Sequence, residues 1–307
     1  MAENLPPRLE GTVRVGKDRV LGWAQFGEAH GTPFFWLHGT PGARRQIPQE
    51  ARQFGIRHGA TIVGIDRPGV GKSTPHLYEN VREFADDVRV LADSMGFERF
   101  GVIGLSGGGP YALACGAAMP DRVAVVASLG GVAPTSGPDQ IHGGLVGFGE
   151  KFAPLVRTLR LPLGHLLALV LKGLRPVGNP ALGVYARVSP PGDRALLERP
   201  EFAAMFLDDI LGRHDHFSAA LSDIVLFCRD WGFDLSEVTM PVVWWHGDAD
   251  HIIPFSHGEH MVSRLPNAEL RVLPGESHLG GLGVAEEILT TLTPYLREPQ
   301  DSLRLPS

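Results

Sequence analysis

Ser106 stands between Gly104 and Gly108, directly after an apolar, strand-like run over residues 100–105. Glycines two residues before and two after a serine leave room for a strand to turn sharply into a helix, and that turn pushes the hydroxyl out towards a substrate. Residues 111–118 supply such a helix, with small residues for close packing. A serine hydroxyl is a weak nucleophile until a base takes its proton. The base in turn needs a partner that fixes its tautomer and stabilises its charged form. Gly-x-Ser-x-Gly is short enough to recur by chance in a chain with 39 glycines, so other strand ends have to supply the base and its partner.

Two later strand-like runs end in suitable turns. Residues 241–245 lead into His246-Gly247-Asp248-Ala249-Asp250-His251, a polar turn with two candidate acids. Residues 269–273 lead into Pro274-Gly275-Glu276-Ser277-His278, a turn that projects one histidine. Ligand sites of open α/β sheets lie at the carboxyl ends of the strands, so the three turns should converge on one edge. Position separates the histidines. His251, His257 and His260 come too soon after the acid to belong to the next strand, whereas His278 lies just beyond it.

The elements that must hold these turns are legible in the hydrophobic pattern. Runs at 34–37, 61–65, 100–105 and 123–128 are apolar without alternation, which suits strands buried on both faces and predicts a largely parallel sheet covered by helices. Between the second and third runs, Asn80 and Glu83 form a capping box. Val81, Phe84, Val88, Leu91 and Met95 then repeat at helical spacing until Gly96, which predicts a crossover helix. Residues 11–15 and 20–26 predict an antiparallel hairpin around Gly16-Lys17-Asp18 at a sheet edge. The alternation breaks after Gly130-Gly131 and resumes at Pro241. Residues 133–236 between are helix-like and rich in glycine and proline. The organisation expected is an α/β core over 1–132 and 237–307 with a helical lid, 133–236, inserted in it. No internal repeat is evident, and the tail from Arg297 is expected to fray.

With the order Ser106, acid, His278, the chain resembles the α/β-hydrolases, and the resemblance covers nearly the whole core. It implies a mostly parallel central sheet flanked by helices. In the family pattern Gly-x-x-Asp-x-x-x-Pro, Gly247 and Pro254 place the acid at Asp250 rather than Asp248, and no carboxylate follows the earlier strand at Ser128. An acyl-transfer site also needs donors for the developing oxyanion. The Gly107 amide, next to the nucleophile, is one. His38-Gly39-Thr40-Pro41-Gly42 is similar to the His-Gly-x-Pro-Gly loop of epoxide hydrolases, proline iminopeptidases and related esterases, which implies the Thr40 amide as the other. Asp66 to Thr74 resembles the family's Asp-x-x-Gly-x-Gly-x-Ser loop, expected to shape the pocket wall.

Composition narrows the function classes. A net charge of −6 gives no general attraction for nucleic acid. Cys115 and Cys228 are the chain's two cysteines and resemble neither a disulfide framework nor a zinc site; buried, reduced thiols are expected. Gly69-Val70-Gly71-Lys72-Ser73 mimics the end of a phosphate loop, but Asp66 stands where the first glycine is required. His246 to His251 comes close to a metallo-hydrolase signature, with Asp248 in place of the second histidine, and His257-Gly258-Glu259-His260 lacks zinc-protease spacing. Neither a metal nor another cofactor is expected. Residues 1–7 lack the positive start and apolar stretch of a secretory signal, and a cytoplasmic location is expected. The apolar run 161–171 is too short to cross a bilayer. Its flanking Arg157, Arg160, Lys172 and Arg175 would suit a membrane surface; a helix packed over the pocket is the preferred reading.

Ser106 in place of aspartate sets aside dehalogenases and epoxide hydrolases. The reading is a serine hydrolase that cleaves an ester of a small to medium, partly hydrophobic molecule. An iminopeptidase, a carbon–carbon bond hydrolase, a cofactor-free perhydrolase and a non-catalytic ligand receptor are the alternatives. An iminopeptidase needs lid carboxylates, for which Glu198, Glu201, Asp208, Asp209 and Asp215 are available. Phe148, Phe152, Leu166, Leu167, Leu169, Met205, Phe206 and Phe217 are the expected apolar walls.

Overall fold

The computed structural model describes residues 4–141, 143, 146–212 and 216–297. Strands β1 (Leu9–Val15), β2 (Arg19–Gly27), β3 (Thr32–Leu37), β4 (Ala60–Ile65), β5 (Phe100–Leu105), β6 (Val123–Leu129), β7 (Val242–Gly247) and β8 (Ala268–Leu273) form one sheet in the order β1-β2-β4-β3-β5-β6-β7-β8. The expected hairpin is the edge: β1 pairs antiparallel with β2, and β2 antiparallel with β4. Every later pairing, from β3·β4 to β7·β8, is parallel. Parallel strands need crossovers, and these are helices.

In chain order the helices are α1 (Gln49–His58), α2 (Phe84–Met95), α3 (Gly109–Ala118), α4 (Val146–Leu174), α5 (Gly178–Val188), α6 (Pro191–Leu197), α7 (Pro200–Ile210), α8 (Ala219–Phe227), α9 (Phe255–Arg264), α10 (Gly280–Gly283) and α11 (Ala285–Arg297). Successive strand residues point to opposite faces. Phe35, Val102, Val126 and Trp244 pack with α2 and α3 on one face, while Phe34, Ile103, Ala127 and Trp245 pack with α1 and α11 on the other. With apolar layers on both faces, no position of these strands needs a polar residue, which is why the pattern does not alternate.

The start of the crossover helix differs in detail from the expectation. The Asn80 side chain accepts from the Glu83 amide at 3.3 Å, but Glu83 returns its carboxylate to the Glu79 amide rather than to Asn80. A short 3₁₀ turn, Val81–Glu83, therefore precedes α2, which ends on Gly96 at φ 69°. Cys115 is buried on α3, where burial pushes its thiol up to about 12. Cys228, at the end of α8, is only half-buried, contrary to expectation, and no disulfide joins it to Cys115.

Helices α4 to α8 all lie between β6 and β7. α4 is anchored on α8: a Cβ at Gly164 would come within 2.6 Å of the Ser218 Cβ, so only glycine permits this approach. The run 161–171 is thus helical, but it packs on α8 through Gly164 and Ala168 and leaves much of its other side exposed. The longer segment Phe152–Leu174 is apolar and long enough to cross a membrane by length and composition, which the shorter run concealed. Residues beyond Arg297, where fraying was expected, lie outside the described residues.

Candidate active site

Ser106 follows β5 immediately, in a 3₁₀ turn Ser106–Gly108 that runs into α3. Its φ of 50° is left-handed, the one such value on a non-glycine residue among those described, and a conformation that costs an L-residue about 1–2 kcal/mol. Gly104 makes the turn possible, since a Cβ there would lie 2.4 Å from the Gly108 carbonyl. The outcome is a hydroxyl lifted off the strand end.

His278, after β8, reaches that hydroxyl. Its Nε2 lies 2.8 Å from Ser106 Oγ, and its Nδ1 lies 2.8 Å from Asp250 Oδ2. With the carboxylate accepting at Nδ1–H, Nε2 is left to accept from the serine, the arrangement a general base requires. Asp250 is the acid reached by His278. Asp248 instead accepts from the Gly275 amide at 2.7 Å, in the turn before the histidine.

Asp250 is held as an anion. Burial raises its pKa, but this is overridden by hydrogen bonds from His246 and His278, the charge of His278 and the Ile253 amide, which together hold the carboxyl well below its usual range. Its Oδ1 accepts from the Ile252 and Ile253 amides at 2.9 and 3.0 Å. His246 is a partner that the sequence offered only as part of a near-match to a metallo-hydrolase signature. The Trp244 indole donates to its Nδ1 at 3.1 Å, so the proton sits on Nε2, which faces Ile253 O at 2.9 Å and Asp250 Oδ2 at 3.3 Å. An Nδ1 occupied in this way points to a structural role rather than a metal ligand.

Thr40 and Gly107 approach each other beside Ser106. A Cβ on Gly107 would lie 2.2 Å from Thr40 Oγ1, so the absence of a side chain at 107 is what lets the Thr40 side chain pack against it. The Gly107 amide is in the first turn of its helical segment, where N–H groups have no intrahelical acceptor. Behind Thr40 lies a buried cluster. Arg67 bonds the His38 carbonyl through Nη1, and its Nη2 faces Gly39 O, Thr40 Oγ1 and Asp223 Oδ2, each at 2.8 Å. Thr40 donates to Asp223 Oδ2 at 2.6 Å and Tyr111 to Oδ1 at 2.7 Å. Burial, followed by the Asp223 charge, pushes the Tyr111 phenol well up, so it stays a donor.

A cavity of about 510 Å³ opens over Ser106 and His278. Leu174 of α4, Leu182 and Tyr185 of α5, and Phe206, Leu207 and Ile210 of α7 wall it, facing Thr40 and Gln46. Of the expected walls only Phe206 lies there. Phe152, Leu166 and Leu169 are exposed, Leu167 packs beside a small satellite core, Met205 and Phe217 are buried in packing, and Phe148 lies outside the residues whose side chains are described. The candidate amine-binding carboxylates are elsewhere too: Glu198 is exposed, Glu201 pairs with Arg199, Asp208 with Arg45, and Asp209 accepts from the Ala43 amide, while Asp215 lies outside the described residues. The Asp66 loop does not wall this cavity either. Asp66 is buried against Arg44, and Lys72 faces a separate cleft of about 730 Å³.

A family model described as the alpha/beta hydrolase fold matches residues 32–282. The chain belongs to this family. Among curated relatives, this hydrolase is 27% identical over 78% of its length to a 2-hydroxy-6-oxononadienedioate/2-hydroxy-6-oxononatrienedioate hydrolase of Burkholderia vietnamiensis, 77% of which is covered. A proline iminopeptidase of Arabidopsis thaliana is 34% identical over 39% of the chain and 32% of that relative. A thermophilic esterase of Thermogutta terrifontis superposes with a TM-score of 0.64 at 19% identity, covering 94% of this chain and 98% of that one, which establishes the shared fold.

The hydrolase ties α6 and α8 to the turns that carry His278 and Thr40 at two points that the sequence did not disclose. Asp223 of α8 holds Thr40, as described. Asp193 of α6, also buried, accepts from the Leu279 amide at 2.8 Å, directly after His278. The one signal available was a carboxylate set among apolar residues, which burial makes costly unless it is bonded.

Proposed function

We propose that this hydrolase cleaves an ester with an apolar acyl or alcohol part through an acyl-enzyme on Ser106. Ser106 attacks the carbonyl as His278 takes its proton; Asp250 stabilises the imidazolium; the Thr40 and Gly107 amides receive the oxyanion; the ester C–O bond breaks as His278 gives that proton to the departing alcohol; His278 then takes a proton from the water that attacks the acyl carbon and returns it to Ser106 as the acid leaves. Each oxyanion donor contributes about 3–4 kcal/mol of barrier reduction. Residues 133–236 act as the lid, and the substrate is a small molecule.

The observation that carries the ester reading is the cavity lining. Among the described residues it includes no Asp, Glu, Lys or Arg. A free amine, as a prolyl substrate presents, would lose its hydration there without a counter-charge, and so would the carboxylates of a dioate. An uncharged ester loses little. Peptidase and carbon–carbon bond chemistry therefore rank below ester cleavage despite the names of the relatives.

A panel of p-nitrophenyl esters of increasing acyl length, run beside proline p-nitroanilide and a 2-hydroxy-6-oxo-dienedioate, tests this. Ester cleavage that improves from acetyl to medium-chain acyl groups is expected. Cleavage of the anilide or of the dioate alone would replace the ester reading. No reaction with any, together with failure of a fluorophosphonate to label Ser106, would point to a ligand receptor.

A further inference from the structure

Helix α4 leaves one side uncovered. Phe152, Leu155, Leu159, Leu163, Leu166 and Val170 follow at spacings of three and four residues, which puts them on one stripe, and each is between 38% and 59% exposed. An apolar face this continuous marks a docking surface rather than ordinary scatter. The charge around it is segregated. Residues 151–192 contain six Lys and Arg and no Asp or Glu, in a chain whose net charge is −6. Arg157, Arg160, Lys172 and Arg187 form no ion pair among the described residues. A cleft of about 960 Å³ beside the first half of α4 is lined by Arg157, Arg160 and Arg229.

We propose that this face docks on an anionic phospholipid bilayer, with α4 lying in the interface plane, its stripe among the upper acyl chains and its basic side chains on the lipid phosphates. An apolar stripe flanked by cations is the chemistry such a surface recognises. A second copy meeting this face symmetrically would set one positive patch against another. Spanning is opposed by the close seating of Gly164 on Ser218, which fixes the other side of α4 to α8. The exposed face continues to Leu174 and Tyr185, which also wall the cavity over Ser106, so a docked bilayer would lie at the cavity mouth.

The test is flotation of the full chain with vesicles of phosphatidylcholine alone or with roughly 30 mol % phosphatidylglycerol. Binding is expected only with the anionic lipid, with release as salt approaches about 1 M, where screening shortens to about 3 Å. The inactive Ser106→Ala should float equally, so docking stands or falls apart from the ester reading. Leu155→Ser/Leu166→Ser and Arg157→Glu/Lys172→Glu should each lower the bound fraction constant by about tenfold or more, while the first retains hydrolysis of a short soluble ester, which reports that it folds. Absence of wild-type flotation, or equal binding to both lipids, would overturn the proposal. So would resistance to both salt and alkaline extraction, which would indicate spanning. A lipid-free dimer in velocity sedimentation, dispersed by Leu155→Ser/Leu166→Ser and unaccompanied by flotation, would assign the face to a second copy.

Discussion

Asp223 and Thr40, 183 positions apart in the chain, share a 2.6 Å hydrogen bond that joins α8 to the loop after β3. The same carboxylate pairs with Arg67 at 2.8 Å, both side chains being 2% exposed. Removing one charge of a buried pair strands the other and costs about 3–5 kcal/mol. Asp223→Asn should therefore lower unfolding free energy by about 3 kcal/mol in denaturant titration. It should also reduce kcat about 10²-fold with little change in KM, because a displaced Thr40 amide misplaces the oxyanion. Wild-type kcat in a folded Asp223→Asn enzyme would remove Asp223 from any positioning role.

The left-handed φ at Ser106 makes an unusual order of stabilities. Ser106→Ala and Ser106→Gly both lose the hydroxyl and should both lose turnover and fluorophosphonate labelling. They differ in backbone cost, since glycine adopts this conformation without penalty. Thermal unfolding should find Ser106→Gly more stable than Ser106→Ala by about 1 kcal/mol. The reverse order would mean that the turn relaxes when the side chain is removed.

Gly107→Ala should act on the oxyanion without touching the Ser106–His278–Asp250 series. The added Cβ would meet Thr40 Oγ1 at 2.2 Å, so the Thr40 side chain must leave its bonds to Asp223 and Arg67 or the two segments must move apart. Loss of one effective donor is worth about 10²–10³ in kcat. Stopped assays with a medium-chain ester measure this directly. A loss below about threefold would show that the Gly107 amide does not receive the oxyanion.

His257, on α9, is fully buried, and both of its ring nitrogens lack a partner among the described residues. Burial, then the neighbouring His246 and His260, lowers its pKa from 6.5 to about 4. The folded state thus resists protonation that the unfolded state accepts between those values, so stability is full above pH 6.5 and falls as pH drops towards 4. The loss is up to about 3 kcal/mol. His257→Leu should flatten this part of the stability profile; an unchanged slope would place the acid sensitivity on other groups.

The sheet and the Ser106, Asp250 and His278 turns were readable because each depends on local order: unbroken apolar strands, a glycine-flanked serine, a polar turn at a strand end. The walls of the cavity were not. α4 is apolar on both sides, and periodicity says which residues share a face but not which face meets a neighbour, so Phe152 and Leu166 were expected as walls where Leu174 is found. Asp223, Asp193 and His246 were missed for a different reason. The roles of Asp223 and Asp193 rest on partners 183 and 86 residues away, with the apolar neighbours of Asp223 as the one local signal, while His246 has its partner four residues on but sits in a run that also resembles a metal motif.

The two aspartates on α6 and α8 also limit how this enzyme can be rebuilt. A graft that exchanges the whole of 133–236 for another helical insert would discard both Asp193 and Asp223, and with them the supports under Leu279 and Thr40. Exchanging α5 and α7 alone would replace most of the cavity wall that 133–236 contributes and keep both supports. Wall residues of the cavity and the supports of the Thr40 and Leu279 turns thus lie on interleaved segments of 133–236, and under the proposed function a chimera that respects the interleaving should change substrate range while leaving the Ser106, Asp250 and His278 chemistry in place.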